Sequence, residues 1–260
     1  SMKPLFAAGG YTPWEESVLV HQALIQQTTG IVEGTGEEGP LPTLVVLSGG
    51  EQSSKTTTSV GHLFGVFPFT PLTWLVGQQY DDAKPEYERL RDMALGCGVL
   101  RKWSTAENGP WELRFKPEFC GATACGGKCK GHVVKVLASE DASRLAREAP
   151  DMIVMCEAGR QSYEAYRYLY RRAIPHSAAF LVTGTFEEKY GAIEPWYADL
   201  WHEGQGENDY HAVSMGLPSY ANRSIYPRGK DDPKFLLACQ TIRNENPDKD
   251  DAEAEIGERF

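Results

Sequence analysis

The residues best suited to chemistry lie in one stretch, Gly49-Gly50-Glu51-Gln52-Ser53-Ser54-Lys55-Thr56. Their spacing is that of G-x-x-x-x-G-K-[ST], with Ser54 at the second glycine. Between a strand and a helix, such a turn lines up backbone N–H groups as a nest for phosphate. The helix N-terminus adds partial positive charge. In that chemistry the residues from Gly49 to Thr57 surround the phosphates, Lys55 reaches the outer ones, and the Thr56 hydroxyl holds Mg²⁺. Ser54 is expected where the helix starts, in a backbone conformation that serine adopts without left-handed strain. The same residues also suit an ordinary polar turn.

A second candidate is Glu157, which ends the apolar run Asp151-Met152-Ile153-Val154-Met155-Cys156. In P-loop ATPases that hydrolyse through a glutamate, the corresponding strand ends in Asp-Glu. The Asp helps to hold Mg²⁺, and the Glu orients and deprotonates the attacking water. Here Glu157 stands in the glutamate's place and Cys156 in the aspartate's. A buried thiol is a poor ligand for a hard cation, which leaves Thr56, the phosphates and water to hold magnesium. The alternative for Glu157 is an acid near a helix N-cap.

A third cluster is Cys120, Cys125, Cys129 and His132, spaced C-x4-C-x3-C-x2-H among glycines. Three thiols and an imidazole this close can close a tetrahedral Zn²⁺ site. Such a site would be structural, because four protein ligands leave no open position. The glycines equally suit a plain flexible hairpin tip.

These residues need a scaffold, and the hydrophobic pattern supplies one. Thr43–Leu47, Pro71–Gly77, Asp151–Ala158 and Ser177–Val182 read as strands buried on both faces. Helices are expected over Glu15–Thr28, Thr57–Phe67, about Lys84–Leu95 and Tyr163–Arg172. Trp111–Phe115 alternates like a half-buried strand, with His132–Leu137 as its hairpin partner. The segment ahead of the phosphate loop offers Tyr11, Pro13 and Gln22 for an adenine pocket, or for ordinary helix packing. Gln78–Asp81 reads as a helix N-terminal turn or as a ligand-facing edge. The basic, tyrosine-rich helix reads as a solvated, packed element or as a contact for nucleic acid or a neighbouring subunit. Together these features predict a three-layer α/β P-loop fold with a mainly parallel central sheet and a β-hairpin insert.

Composition sets outer bounds. The 260 residues are 41% hydrophobic and 24% charged, the balance of a soluble globular chain. A net charge of −10 argues against duplex binding by the whole surface, since phosphate neutralisation needs Lys and Arg. No apolar run approaches a membrane span, and no leader segment is expected. Ser1-Met2 reads as an addition ahead of the natural start. The six cysteines read as reduced thiols or a metal site rather than a disulfide frame.

In sequence order, the phosphate loop, the strand ending in Glu157 and the strand ending in Thr183-Gly184-Thr185 resemble the ATPase domain of the large terminase subunit. That subunit is the DNA-packaging motor of tailed bacteriophages and related viruses. Gly10-Tyr11-x-Pro13 looks like the family's adenine-pocket entry, and the stretches Trp196–Trp201, Pro218–Asn222 and Tyr226–Pro233 are similar to its passage towards a nuclease. The resemblance implies ATP and Mg²⁺ as ligands and Thr183, Gly184 and Thr185 as the coupling motif that senses the γ-phosphate. It implies an arginine finger at Arg147 or Arg144, which also read as plain surface charge. Glu51 and Gln52 stand where many relatives carry a basic residue.

The implied partners are double-stranded DNA, the portal protein, the small terminase subunit and further copies of the chain in a ring, with no membrane, in the infected host's cytoplasm. The implied division is a motor domain over 1–245, with the Cys-rich insert at about 111–137, and an acidic linker over 246–260 towards an absent nuclease. Rival readings are a nucleotide-binding scaffold that no longer hydrolyses, suggested by Ser54, Glu51 and Cys156, and a helicase-like DNA-dependent ATPase.

Overall fold

The structure, a computed structural model, describes residues 8–13, 15–29, 44–50, 53–105, 111–121, 125, 128–140, 148–186, 194–206, 212–246 and 248–259. Glu51, Gln52, Arg144 and Arg147 lie outside the described residues.

Helix α1 (Glu15–Thr29) precedes strand β1 (Leu44–Ser48) and helix α2 (Lys55–Val66). Strand β2 (Leu72–Gly77) leads through a 3₁₀ turn into helix α3 (Lys84–Gly96). Three strands follow: β3 (Leu100–Ser104), β4 (Glu112–Phe115) and β5 (Val133–Ala138). Then come β6 (Met152–Met155), α4 (Tyr163–Ala173), β7 (Ala179–Gly184), α5 (Pro195–Glu203) and β8 (Ala212–Gly216). Helices α6 (Pro233–Glu245) and α7 (Lys249–Arg259) complete the described chain.

The eight strands form one sheet in the order β3-β4-β5-β2-β6-β7-β1-β8. The pairs from β5 to β8 are all parallel, whereas β4 runs antiparallel to both β3 and β5. The α/β class, the mainly parallel sheet and the hairpin are therefore as the sequence predicts.

β1 reads as an unbroken apolar run because helices cover both faces of the sheet. Val45 and Leu47 join a core with Leu24 of α1, Val60 and Phe64 of α2, and Tyr87 and Leu90 of α3. Leu44 and Val46, pointing the other way, join a core with Tyr166 and Leu169 of α4 and Trp196 and Tyr197 of α5. The Tyr-rich helix is anchored by this second core: Tyr166 stacks on Trp196 with ring centroids 4.6 Å apart.

The hairpin pairs Leu113 with Val134, and β5 then continues alongside β2 in parallel register. The cysteine-bearing connection thus springs from a member of the main sheet. Strand β3 was not legible, since Arg101, Lys102 and Trp103 are all exposed and leave no alternation to read.

The order of the central strands does the positioning. β7 lies between β6 and β1, with Val182 beside Met155 and Gly184 beside Ser48. Glu157, Thr185 and the loop after Ser48 therefore leave the same carboxyl edge from adjacent strands, the usual ligand edge of open α/β sheets.

Candidate nucleotide site

The turn after β1 is held by close backbone contacts. A Cβ added to Gly49 would lie 2.2 Å from the Leu217 carbonyl oxygen and 2.7 Å from Ser53 Oγ, so only glycine fits. Leu217 N–H donates to Ser48 O at 2.8 Å, fastening the segment after β8 to the start of the loop. Ser54 has φ 68° and ψ 24°, a left-handed conformation. The expectation of an unstrained helix start is thus corrected: serine occupies the backbone state that the motif's second glycine serves, at a cost of about 1–2 kcal/mol. The Lys55 ammonium donates to Gly50 O at 3.1 Å and to Gly49 O, so it spans the mouth of the loop.

A cleft of about 850 Å³ opens at this edge. Gly50, Ser53, Ser54, Lys55, Thr56 and Thr57 line it together with Glu157 and Thr185. Arg89, Arg160, Asp81, Asp82, Asn222 and Ser224 add further polar groups to the lining. An adjoining cleft of about 410 Å³ shares Ser54, Thr57, Arg89, Asn222 and Ser224, and is walled by Tyr11 and Pro13. Tyr11 is pinned there: its ring lies against Gly61, where a Cβ would come within 2.6 Å, and its hydroxyl shares a 2.7 Å hydrogen bond with His21 Nε2. Gln22, half-buried on α1, lines neither cleft.

Glu157 is held by its surroundings in a left-handed turn, φ 49° and ψ 49°. Buried Gln161 donates to Val76 O at 3.0 Å and Cys156 O at 2.7 Å, tying this turn to the end of β2. Non-glycine residues in such a conformation cost on the order of 1–3 kcal/mol and concentrate at functional sites. Thr183 is buried, and its hydroxyl donates to Met155 O at 3.2 Å. Gly184 sits against Tyr197, whose ring atom would be 2.9 Å from an added Cβ. Of Thr183, Gly184 and Thr185, the last reaches the cleft.

Cys156 is fully buried. Burial, and then Glu86, Glu157 and Asp82, push its thiol well above the usual range, so it stays neutral. Glu86 on α3 carries no motif that marks it in the sequence. It is 4% exposed, and its Oε1 accepts the Thr56 hydroxyl at 3.0 Å. Burial raises its pKa to about 7, with Glu157 adding to the rise and Lys55 opposing it. Acids in a first helical turn ordinarily just complement the helix dipole, which is how Glu86 reads in one dimension.

The ATPase domain of the Thermus phage P74-26 large terminase superposes with a TM-score of 0.62 at 13% identity, over 98% of this chain and 95% of that one. A mutant of the same domain gives 0.64 at 12% identity over the same shares. The chain has the fold of a large terminase ATPase domain. The bacteriophage HK97 large terminase matches at 0.56 and 10% identity over 92% of this chain and 54% of that one. A large terminase of a thermophilic bacteriophage, in complex with ADP, matches at 0.54 and 10% identity over 86% of this chain and 50% of that one. The chain thus spans about half the length of these last two terminases. No family model and no curated protein matches the sequence.

On this terminase fold, the cysteine-rich connection brings Cys120, Cys125, Cys129 and His132 together. Their ligand atoms all lie within 4.8 Å of one another, so the cluster could hold zinc. His132 Nε2 is 3.1 Å from Cys120 Sγ and 3.8 Å from Cys125 Sγ, while Nδ1 meets the Phe67 carbonyl oxygen at the end of α2. A metal-binding imidazole commonly donates its other N–H to a backbone carbonyl in this way. Gly131, φ 97°, allows the approach: a Cβ there would meet Phe115 O at 2.2 Å. No helix among the described residues is long and apolar enough to cross a membrane.

Proposed function

We propose that the chain is the ATP-hydrolysing motor domain of a large terminase, driving double-stranded DNA into a capsid. One observation carries this reading: Lys55, Thr56, Glu157 and Thr185 line a single cleft in the fold of terminase ATPase domains. The phosphates lie along the loop from Gly49 to Thr57, and Tyr11 and Pro13 wall the adenine end. Lys55 and the loop amides stabilise the charge that builds up on the γ-phosphate. Glu157 orients water for in-line attack and takes its proton. Thr183, Gly184 and Thr185 pass the state of the cleft to the sheet.

The donor set tests the fit of magnesium. The neutral Cys156 thiol does not suit an oxygen-seeking cation, whereas the Thr56 hydroxyl does. Bound magnesium would neutralise charge on the β- and γ-phosphates. The cysteine cluster takes a structural zinc, with His132 Nε2 as the nitrogen ligand. Arg147 or Arg144 acts as an arginine finger on a neighbouring copy, within a ring that engages the portal protein and the small terminase subunit in the host cytoplasm. The motor domain covers 1–245 and the acidic stretch 246–260 leads towards a nuclease.

Glu157→Gln decides the central claim. It should leave binding of an ADP analogue intact and abolish phosphate release, measured with magnesium and with and without DNA. Retained turnover removes Glu157 from its role as base. Absence of phosphate release from the parent chain under all these conditions favours the non-hydrolysing scaffold.

A further inference from the structure

Position 156, which should bring a carboxylate to a cation at the end of β6, holds a fully buried thiol. A carboxylate from a different element lies within electrostatic reach of that thiol. Glu86, in the first turn of α3, turns inward towards α2 rather than out to water, with 4% of its surface exposed. Its Oε1 accepts the Thr56 hydroxyl proton, and its Oε2 is buried with no hydrogen-bond partner among the described residues. Lys55 and Glu157 lie within electrostatic reach of it.

Two arguments give this arrangement a purpose. A hydroxyl that binds a cation does so through an oxygen lone pair, so its proton must go to another acceptor. Thr56 already sends its proton to Glu86. A carboxylate oxygen buried without a partner is unfavourable unless something meets it, and a helix-dipole role needs no burial at all. A hard divalent cation beside Thr56 meets that oxygen with the ligand chemistry it prefers.

We propose that Glu86 supplies, from helix α3, the carboxylate of the nucleotide-bound divalent-cation site that Cys156 cannot supply from β6. The inference rests on reading the cleft as a magnesium–nucleotide site. The two ideas fail separately.

The test uses the whole chain, a fluorescent ADP analogue, and Mn²⁺ as a paramagnetic stand-in for magnesium. The parent should bind ADP, and bind Mn²⁺ in the ADP complex. Glu86→Gln should leave metal-free ADP affinity within about twofold, yet weaken Mn²⁺ binding by about 10–100-fold. Unchanged Mn²⁺ affinity in that variant overturns the inference while leaving the nucleotide site standing. Equal loss of ADP binding with and without metal, at an unaltered unfolding midpoint, also overturns it, since Glu86 would then merely shape the loop. A parent that binds no ADP removes the nucleotide reading and this inference with it. Should Glu86→Gln fail to fold, anomalous scattering from Mn²⁺ in crystals of the parent ADP complex replaces it. Metal beside Glu86 supports the assignment, and metal out of reach of that carboxylate and of any water it holds overturns it.

Discussion

Replacing Ser54 by glycine should stabilise the chain. Ser54 sits at φ 68° and ψ 24°, and its side chain makes no capping hydrogen bond. A residue with a Cβ loses about 1–2 kcal/mol in that conformation, and glycine does not. Glycine gives back roughly 0.5–1 kcal/mol through the greater freedom of the unfolded chain. The net gain is about 0–1.5 kcal/mol, centred near 0.7, which for a domain of this size raises the midpoint by up to about 6 °C. Thermal and urea unfolding of the parent, Ser54→Gly and Ser54→Ala, all free of nucleotide, provide the assay. Ser54→Ala keeps the Cβ and should stay within about 0.5 kcal/mol of the parent. ADP affinity should be nearly constant across the series, because the loop amides are unchanged. A lower midpoint for Ser54→Gly would refute the reasoning, since serine's own atoms would then be holding the turn.

Gly49→Ala should behave in the opposite way. With the Leu217 carbonyl oxygen 2.2 Å from the new Cβ, the loop must move, costing about 1–3 kcal/mol in a denaturant titration and most of the ADP affinity. His21, whose pKa burial lowers to about 4, should link stability to pH. The unfolded chain takes up that proton first, so stability falls as pH drops from about 6.5 towards 4, by about 2 kcal/mol between pH 7.5 and 5. Glu86, raised to about 7, works in the opposite sense, so the effect is read as the difference between His21→Gln and the parent in urea titrations at both pH values. Purified chain should carry about one equivalent of zinc. Cys129→Ser should lose the metal and melt earlier; a metal-free parent with the same midpoint as the variant would dismiss the zinc site.

The placement of Lys55 and Thr56 between a strand and a helix was legible because the pattern is local: strand, glycine pair and Lys-Thr follow one another along the chain. Glu157 was legible for the same reason, as an acid at the end of an apolar run. What β7 brings to the cleft depends on which strands flank it, and one sequence does not state pairing order. Glu86 escaped notice because its meaning arises only where α3 packs against α2, 30 residues from Thr56. Arg89, Asn222 and Ser224 reach the cleft by the same kind of distant packing, while Gln22, plausible by position, points elsewhere. The left-handed state of Ser54 was misjudged because residue type favours an ordinary φ there, and the closure of the loop overrides it.

The contact between His132 and the Phe67 carbonyl carries a mechanical consequence. Helix α2 is a rod roughly 18 Å long with Lys55 at one tip, and the cysteine cluster clamps its far tip. On the proposed reading of Lys55 as a phosphate ligand, sulfur chemistry at the clamp should alter the grip at the other tip, though no cysteine is among the described residues lining the cleft. A preparation whose thiols have oxidised in storage should lose nucleotide affinity with Lys55, Thr56 and Glu157 untouched.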